Sequence, residues 1–111
     1  MSVRERIHAI QRELLAGDAT PARGREMLLE LTALLGNVNA ELREADAAYK
    51  VVLLGYLESS EKANRARIKA ETSPEYRRMR EAKDAQTLCT ELARSLKTVI
   101  RSVDEEMRLS H

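Results

Sequence analysis

The 111-residue chain contains no Phe and no Trp, and its only aromatic residues are Tyr49, Tyr56 and Tyr76. Any core must therefore be built from aliphatic side chains. Apart from Tyr76, no ring interleaves with the basic residues, which excludes a stacking platform for single-stranded nucleic acid. Cys89 is the only cysteine. An intramolecular disulfide is impossible, and with His8 and His111 as the only histidines a structural zinc site lacks ligands. Proline occurs only at Pro21 and Pro74, and there are four glycines, so breaks in regular structure are few. No single sign of charge dominates: 19 Lys and Arg stand against 18 Asp and Glu, a net charge of +1. Bulk charge therefore steers no partner. No apolar run approaches the ~20 residues that span a bilayer, and the charged start MSVRERIHAIQREL has no signal-peptide core. These absences lead to the expectation of a cytoplasmic protein without a membrane contact.

The residues that are abundant are Ala, Leu, Glu, Arg and Lys, the strongest helix formers, which points to an all-α fold of long helices or a coiled coil. At this length the chain suits a single helical domain over 1–111. Val3, Ile7, Ile10, Leu14 and Leu15 recur at helical spacing and predict a first helix over 2–16, closed by Gly17. Thr20 as N-cap and Pro21 at the first helical position open a second helix over 20–35, which Gly36 is expected to end. A third helix is predicted over 38–72. It carries an almost unbroken heptad seam: Val38, Leu42, Ala45, Tyr49, Val52, Tyr56, Ser59, Ala63, Ala66, Ala70. Ser73 and Pro74 repeat the Thr-Pro signal and start a fourth helix over 74–108, with its seam at Ala82, Ala85, Cys89, Leu92, Leu96, Val99 and Val103. Two long helices joined by a tight turn should lie antiparallel. The expected architecture is two short helices plus a long antiparallel helical hairpin, a coiled-coil-like four-helix arrangement.

The densest apolar stretch is YKVVLLGYL, Tyr49 to Leu57, interrupted only by Lys50. A helix that is apolar all round must be covered all round. The seam takes Tyr49, Val52 and Tyr56. Val51 and Leu54 point to one side of it, Leu53 and Leu57 to the other, and Leu88 and Ile100 fall beside the seam of the fourth helix. The short helices are expected to cover one flank, and the leftover area predicts a homo-oligomer or a protein partner. The candidate interface residues are Tyr49, Val51, Leu53, Leu54, Leu57, Leu88 and Ile100.

Chemistry is scarce. There is no HExxH, no glycine-rich phosphate loop and no EF-hand pattern. His8 lies beside the apolar set of the first helix, as a structural histidine does. Cys89 falls on a seam, where a small thiol behaves as a hydrophobe. Asp104 to Glu106 are consecutive on a helix and diverge. No catalytic, cofactor or metal residue emerges, and a non-enzymatic protein is expected. One charge asymmetry stands out. From Glu61 to Asp84 eight basic residues meet five acidic ones. Within that span Arg65, Arg67, Lys69, Arg77, Arg78 and Arg80 are candidate nucleic-acid contacts, and a basic tip of this kind engages phosphates. The alternative is a solvated surface of i,i+4 pairs such as Glu61 with Arg65.

The segment ETSPEYRRMREAKDAQTLCTELARSLK, Glu71 to Lys97, resembles a segment of small helical proteins of bacteriophages and prophages. The shared features are the Ser-Pro-Glu-aromatic start, the REAKD run and the Leu-rich amphipathic helix that follows. The resemblance covers about a quarter of the chain. It implies a phage setting and carries over no catalytic residue; in such a setting the expected partner is host machinery or a phage replication or assembly component.

Overall fold

The computed structural model describes residues 1–59 and 62–110. Glu61, and with it the pairing expected with Arg65, lies outside the described residues, as does His111. Four helices follow one another: α1 (Val3–Ala16), α2 (Pro21–Glu58), α3 (Ala63–Glu71) and α4 (Pro74–Leu109). The fold is all-α, and no strand forms among the described residues.

The helix ends follow local chemistry. The Ser2 hydroxyl accepts from the Glu5 N–H at the start of α1. At its end Gly17 takes the left-handed conformation, φ 78°, and its N–H donates to the Leu14 carbonyl. Thr20 Oγ1 accepts from the Arg23 N–H at the start of α2, and Ser73 Oγ from the Tyr76 N–H at the start of α4. In each of these two cases a proline follows the cap, where its missing N–H leaves no bond unmade.

Two boundaries differ from the sequence expectation, and both concern the helices read as 20–35 and 38–72. Gly36 does not end a helix; α2 continues through it to Glu58. A glycine terminates a helix by adopting positive φ, and Gly17 is the only glycine here that does so. The apolar residues on both sides of Gly36, with Leu31 and Val38 buried, favour continuation over a turn. The break comes later, between Glu58 and Ala63. There the Ser59 hydroxyl donates to the Tyr56 carbonyl, the kind of local bond by which serine competes with helix propagation. Gly55, one turn earlier, lowers the local propensity further.

The chain divides into two compact units, 1–37 with 85–111 and 38–84. Helices α2 and α4 each contribute to both. In the first unit, Ile7 and Ile10 of α1, Met27 and Leu31 of α2 and Cys89 and Leu96 of α4 are fully or almost fully buried. Arg6 and Arg23 clamp Glu30 and Glu13 with paired hydrogen bonds between α1 and α2, so partners advance along α2 as they retreat along α1. Arg25 Nη2 reaches Asp104 on α4 at 2.9 Å.

The second unit is built differently. Its buried apolar residues are Val38, Ala45, Ala66, Ala70 and Ala82. The Tyr49 and Tyr76 rings meet at 5.2 Å and a tilt of 54°. Lys69 Nζ sits 5.8 Å above the Tyr56 ring. Arg78 binds both carboxylate oxygens of Glu41 at 2.6 and 3.1 Å. Contacts from Tyr56, Tyr49 and Glu41, moving backward along α2, fall on Lys69, Tyr76 and Arg78, moving forward along the segments that follow.

Candidate interaction face

The residues from Tyr49 to Glu58 form the last turns of α2. At 100° per residue they divide into two faces. Tyr49, Val52 and Tyr56 take one face and are half-buried. Tyr49 packs on Tyr76, and burial pushes its hydroxyl pKa up, with the Glu71 carboxylate adding to the effect. Leu53 is also half-buried. The opposite face is open: Val51 is 70% exposed, Leu54 53% and Leu57 41%.

The candidate interface residues therefore separate into groups. Val51, Leu54 and Leu57 share one exposed face, where the sequence pattern set Leu57 with Leu53 on the other side of the seam; Leu54 lies opposite the seam, so the exposed arc runs from Val51 through it to Leu57. Tyr49 is half-buried and packs on Tyr76 of α4, and Leu53 is half-buried. Leu88 and Ile100 belong to the other unit. There Ile100 is half-buried and lies beside Gly24. It also lines an open hollow of about 370 Å³ with Leu28, Lys97, Arg101 and Asp104.

Charged residues border the exposed face. Lys50 Nζ pairs with Asp46 at 2.8 Å, one turn back, and the hydrogen bond to that carboxylate raises the lysine pKa. Glu58 is exposed at the last position of α2, whose final turn holds no basic residue. A carboxylate there opposes the partial negative charge of the helix C-terminus.

The six candidate phosphate contacts are all exposed but not equally available. Arg78 is held by Glu41 and reaches Glu44 at 3.4 Å. Its guanidinium keeps the Glu41 carboxyl below the usual carboxylate range. Arg80 approaches Asp84 at 3.8 Å, and Lys69 lies over Tyr56. Arg65 and Lys69 line a shallow hollow of about 520 Å³ with Lys62, Asn64 and Ile68. Ile68, 59% exposed on α3, was not among the residues singled out from sequence. The sequence predicts a continuous helix there, and its alanine seam marks Ala66 and Ala70 rather than their outward neighbour.

Cys89 is fully buried; its thiol lies 3.3 Å from the Leu31 carbonyl as donor, and burial pushes its pKa up. A reactive cysteine needs the opposite environment. His8 is exposed, with Nδ1 3.4 Å from Gln11 Oε1. Among the described residues no cluster of His, Cys, Asp and Glu could hold a metal ion, and no buried side-chain polar atom lacks a partner. No described helix is long and apolar enough to cross a membrane.

The features above define an all-α protein in which the end of α2 carries an exposed apolar face at Val51, Leu54 and Leu57. Comparison with protein-family models, curated proteins and solved structures returns no match.

Proposed function

We propose that this chain is a non-enzymatic interaction protein that associates with another protein chain through Val51, Leu54 and Leu57 on the outward face of α2. The observation that carries the reading is an inversion within the second unit. Four of its five buried apolar residues are alanines, while Val51, Leu54, Leu57 and Ile68 are exposed. Ordinary folding places the larger aliphatic side chains inside, because each gains about 1.5–3 kcal/mol from burial. The three residues of α2 present on the order of 300 Å² of contiguous apolar surface, the scale at which an exposed patch marks an interaction site.

The antiparallel order of contacts within each unit supports a helical-hairpin, coiled-coil-like arrangement as the scaffold that holds this face outward. The resemblance of Glu71–Lys97 to phage proteins supports a setting in which the partner is host or phage replication machinery, or another copy of the chain. A nucleic-acid role for the basic residues is the weaker reading, since Arg78 is already neutralised by Glu41 and Glu44.

The test is the molar mass in solution, by size exclusion with light scattering, at 50 mM and 1 M salt. Self-association predicts a mass above the 12.6 kDa of one chain at both salts, and its loss in the variant Val51→Glu/Leu54→Glu with helicity retained. A variant as large as the wild type would sink the assignment of this face. A wild-type monomer at both salts removes self-association from the reading.

A further inference from the structure

We infer that the groove between α2 and α4 in the first unit docks an acidic amphipathic helix of another protein. This surface is separate from Val51, Leu54 and Leu57 and does not rest on the reading of that face. The groove follows from which sides of α2 are taken. Arg23 and Glu30 share one side of α2, and both are bound to α1 by paired hydrogen bonds. Gly24 stands about 100° further round and faces α4, with Ile100 Cγ1 and Leu96 Cδ2 3.6 and 3.7 Å from where its Cβ would be. Leu28 lies about 40° beyond Gly24, on the side of the α4 contact away from α1. Leu28 and Ile100 are half-buried and form the apolar lining of the open hollow of about 370 Å³.

The α4 wall of the hollow is basic. Lys97, Arg101 and Arg108 line it and are exposed. At 100° per residue they fall in one arc of about 40°. Arg94, also exposed, continues the row one turn back along α4. Among the described residues none of these four has an ion-pair partner. Asp104 stands beside the row, but Arg25 already holds it at 2.9 Å. The row therefore keeps its charge, and a partner's carboxylates complement it.

The spacing selects the occupant. Lys97 to Arg108 covers about 16 Å, three turns of helix. A single small anion reaches one or two of these cations. A helix laid along the groove reaches all of them while it sets apolar side chains on Leu28 and Ile100, the way amphipathic helices fill grooves. A flat bilayer would meet the exposed row but not the half-buried pair recessed between two helices. Nucleic acid carries a charge at every phosphate, and Glu105, which also lines the hollow, repels it. A peptide helix can leave that position uncharged. Exposed cations of this kind set selectivity and association rate more than affinity, so binding is expected to weaken as salt screens them.

The experiment is fluorescence anisotropy with a fluorescein-labelled synthetic helix of about four turns, built of Leu, Glu and Ala with Leu on one face and Glu beside it. The full chain should bind it with a dissociation constant below about 100 µM at 20 mM salt and several-fold more weakly at 300 mM. A peptide with Ala for each Leu should bind about fivefold or more weakly, and one with Gln for each Glu should not bind. Lys97→Glu/Arg101→Glu should lower affinity about tenfold or more with helicity unchanged by circular dichroism; Lys97→Gln/Arg101→Gln should lower it less. Val51→Glu/Leu54→Glu should bind the peptide like the wild type, whatever its own molar mass, which separates this surface from the face of α2. No binding at 500 µM peptide, equal binding by the Ala-for-Leu peptide, or undiminished affinity in Lys97→Glu/Arg101→Glu would overturn the proposal. So would loss of binding in Val51→Glu/Leu54→Glu alone. Duplex DNA or phosphatidylserine vesicles that bind more tightly than the peptide, and lose that binding in Lys97→Glu/Arg101→Glu, would overturn it in favour of a phosphate-bearing partner.

Discussion

Replacing Gly36 with alanine tests whether α2 is one helix, because the two possible backbones predict opposite signs. In the structure Gly36 lies inside a continuous helix. Nothing stands within 4 Å of where its Cβ would be, so the added methyl meets open space. An interior helical Gly→Ala change then stabilises by about 0.8–1 kcal/mol, from the lower conformational freedom of the unfolded alanine and its better helix propensity. Were Gly36 instead the left-handed terminator expected from its surroundings, the same methyl would cost about 1–2 kcal/mol. The difference is roughly 2–3 kcal/mol, well above the error of equilibrium unfolding. Gly17 supplies the internal control. Its φ of 78° makes Gly17→Ala destabilising by about 1 kcal/mol although it too has open space. The assay is urea unfolding followed at 222 nm, at low protein concentration to separate folding from association. With a slope near 2 kcal/mol per molar, Gly36→Ala should move the midpoint up by about 0.5 M and Gly17→Ala down by a similar amount. A midpoint for Gly36→Ala that moves down alongside Gly17→Ala would refute a continuous α2.

Three shorter predictions follow from side-chain environments. Cys89 should resist an aromatic disulfide reagent in the native state and react only as fast as the protein opens, since it is buried and its pKa is raised; stoichiometric labelling within seconds would contradict its placement. Glu13, Glu30 and Glu41 are all held below the ordinary carboxylate value of 4.5 by hydrogen bonds from Arg23, Arg6 and Arg78. A carboxylate with a depressed folded-state pKa stabilises above its unfolded value and loses that contribution as pH falls through the folded one. Stability should therefore be flat above about pH 5 and decline below 4.5, and removing Arg23 should flatten the decline; an unchanged acid limb in Arg23→Gln would count against the clamp. Finally, fluorescence anisotropy with labelled duplex and single-stranded DNA should show no binding tighter than about 10 µM at 150 mM salt. Tight binding with a steep salt slope, lost in Arg77→Glu/Arg78→Glu, would instead favour the basic residues as the functional surface.

What was legible in the sequence was local. Gly17, Thr20–Pro21 and Ser73–Pro74 act through bonds within one turn, so residue type alone identified the helix ends they make. The seam residues Val38, Ala45, Ala66, Ala70, Ala82, Ala85, Cys89 and Leu96 are buried because a 3.5-residue repeat fixes which side of a helix faces inward, whereas Ser59, Ala63 and Val99 of the same seams are exposed. Gly36 and Ser59 could not be weighed the same way. Glycine is both a terminator and a tolerated interior residue, and the choice depends on whether the helix gains more from burying Leu31 and Val38 as one piece than it loses at the glycine. The division at residue 37–38 was likewise hidden, since the heptad pattern on α2 and α4 gives no sign of where one group of packed residues stops.

Within the second unit the alanine seam and the exposed aliphatic face have a common physical cause. Alanine at Ala45, Ala66, Ala70 and Ala82 lets helices approach closely, but it buries little area per residue. Such a core gains less than one of Ile, Leu and Met, the residues that fill the first unit. The second unit is thus the one with stability to gain from a partner, and it is also the one that exposes Val51, Leu54 and Leu57. If association supplies the missing burial, the two properties must change together. Filling the inner seam should not rescue a charge placed at Leu54, whereas weakening the seam should make the unit's folding depend on protein concentration. A seam variant such as Ala66→Gly, with a glycine cost of about 1 kcal/mol, should then unfold at a temperature that rises with concentration.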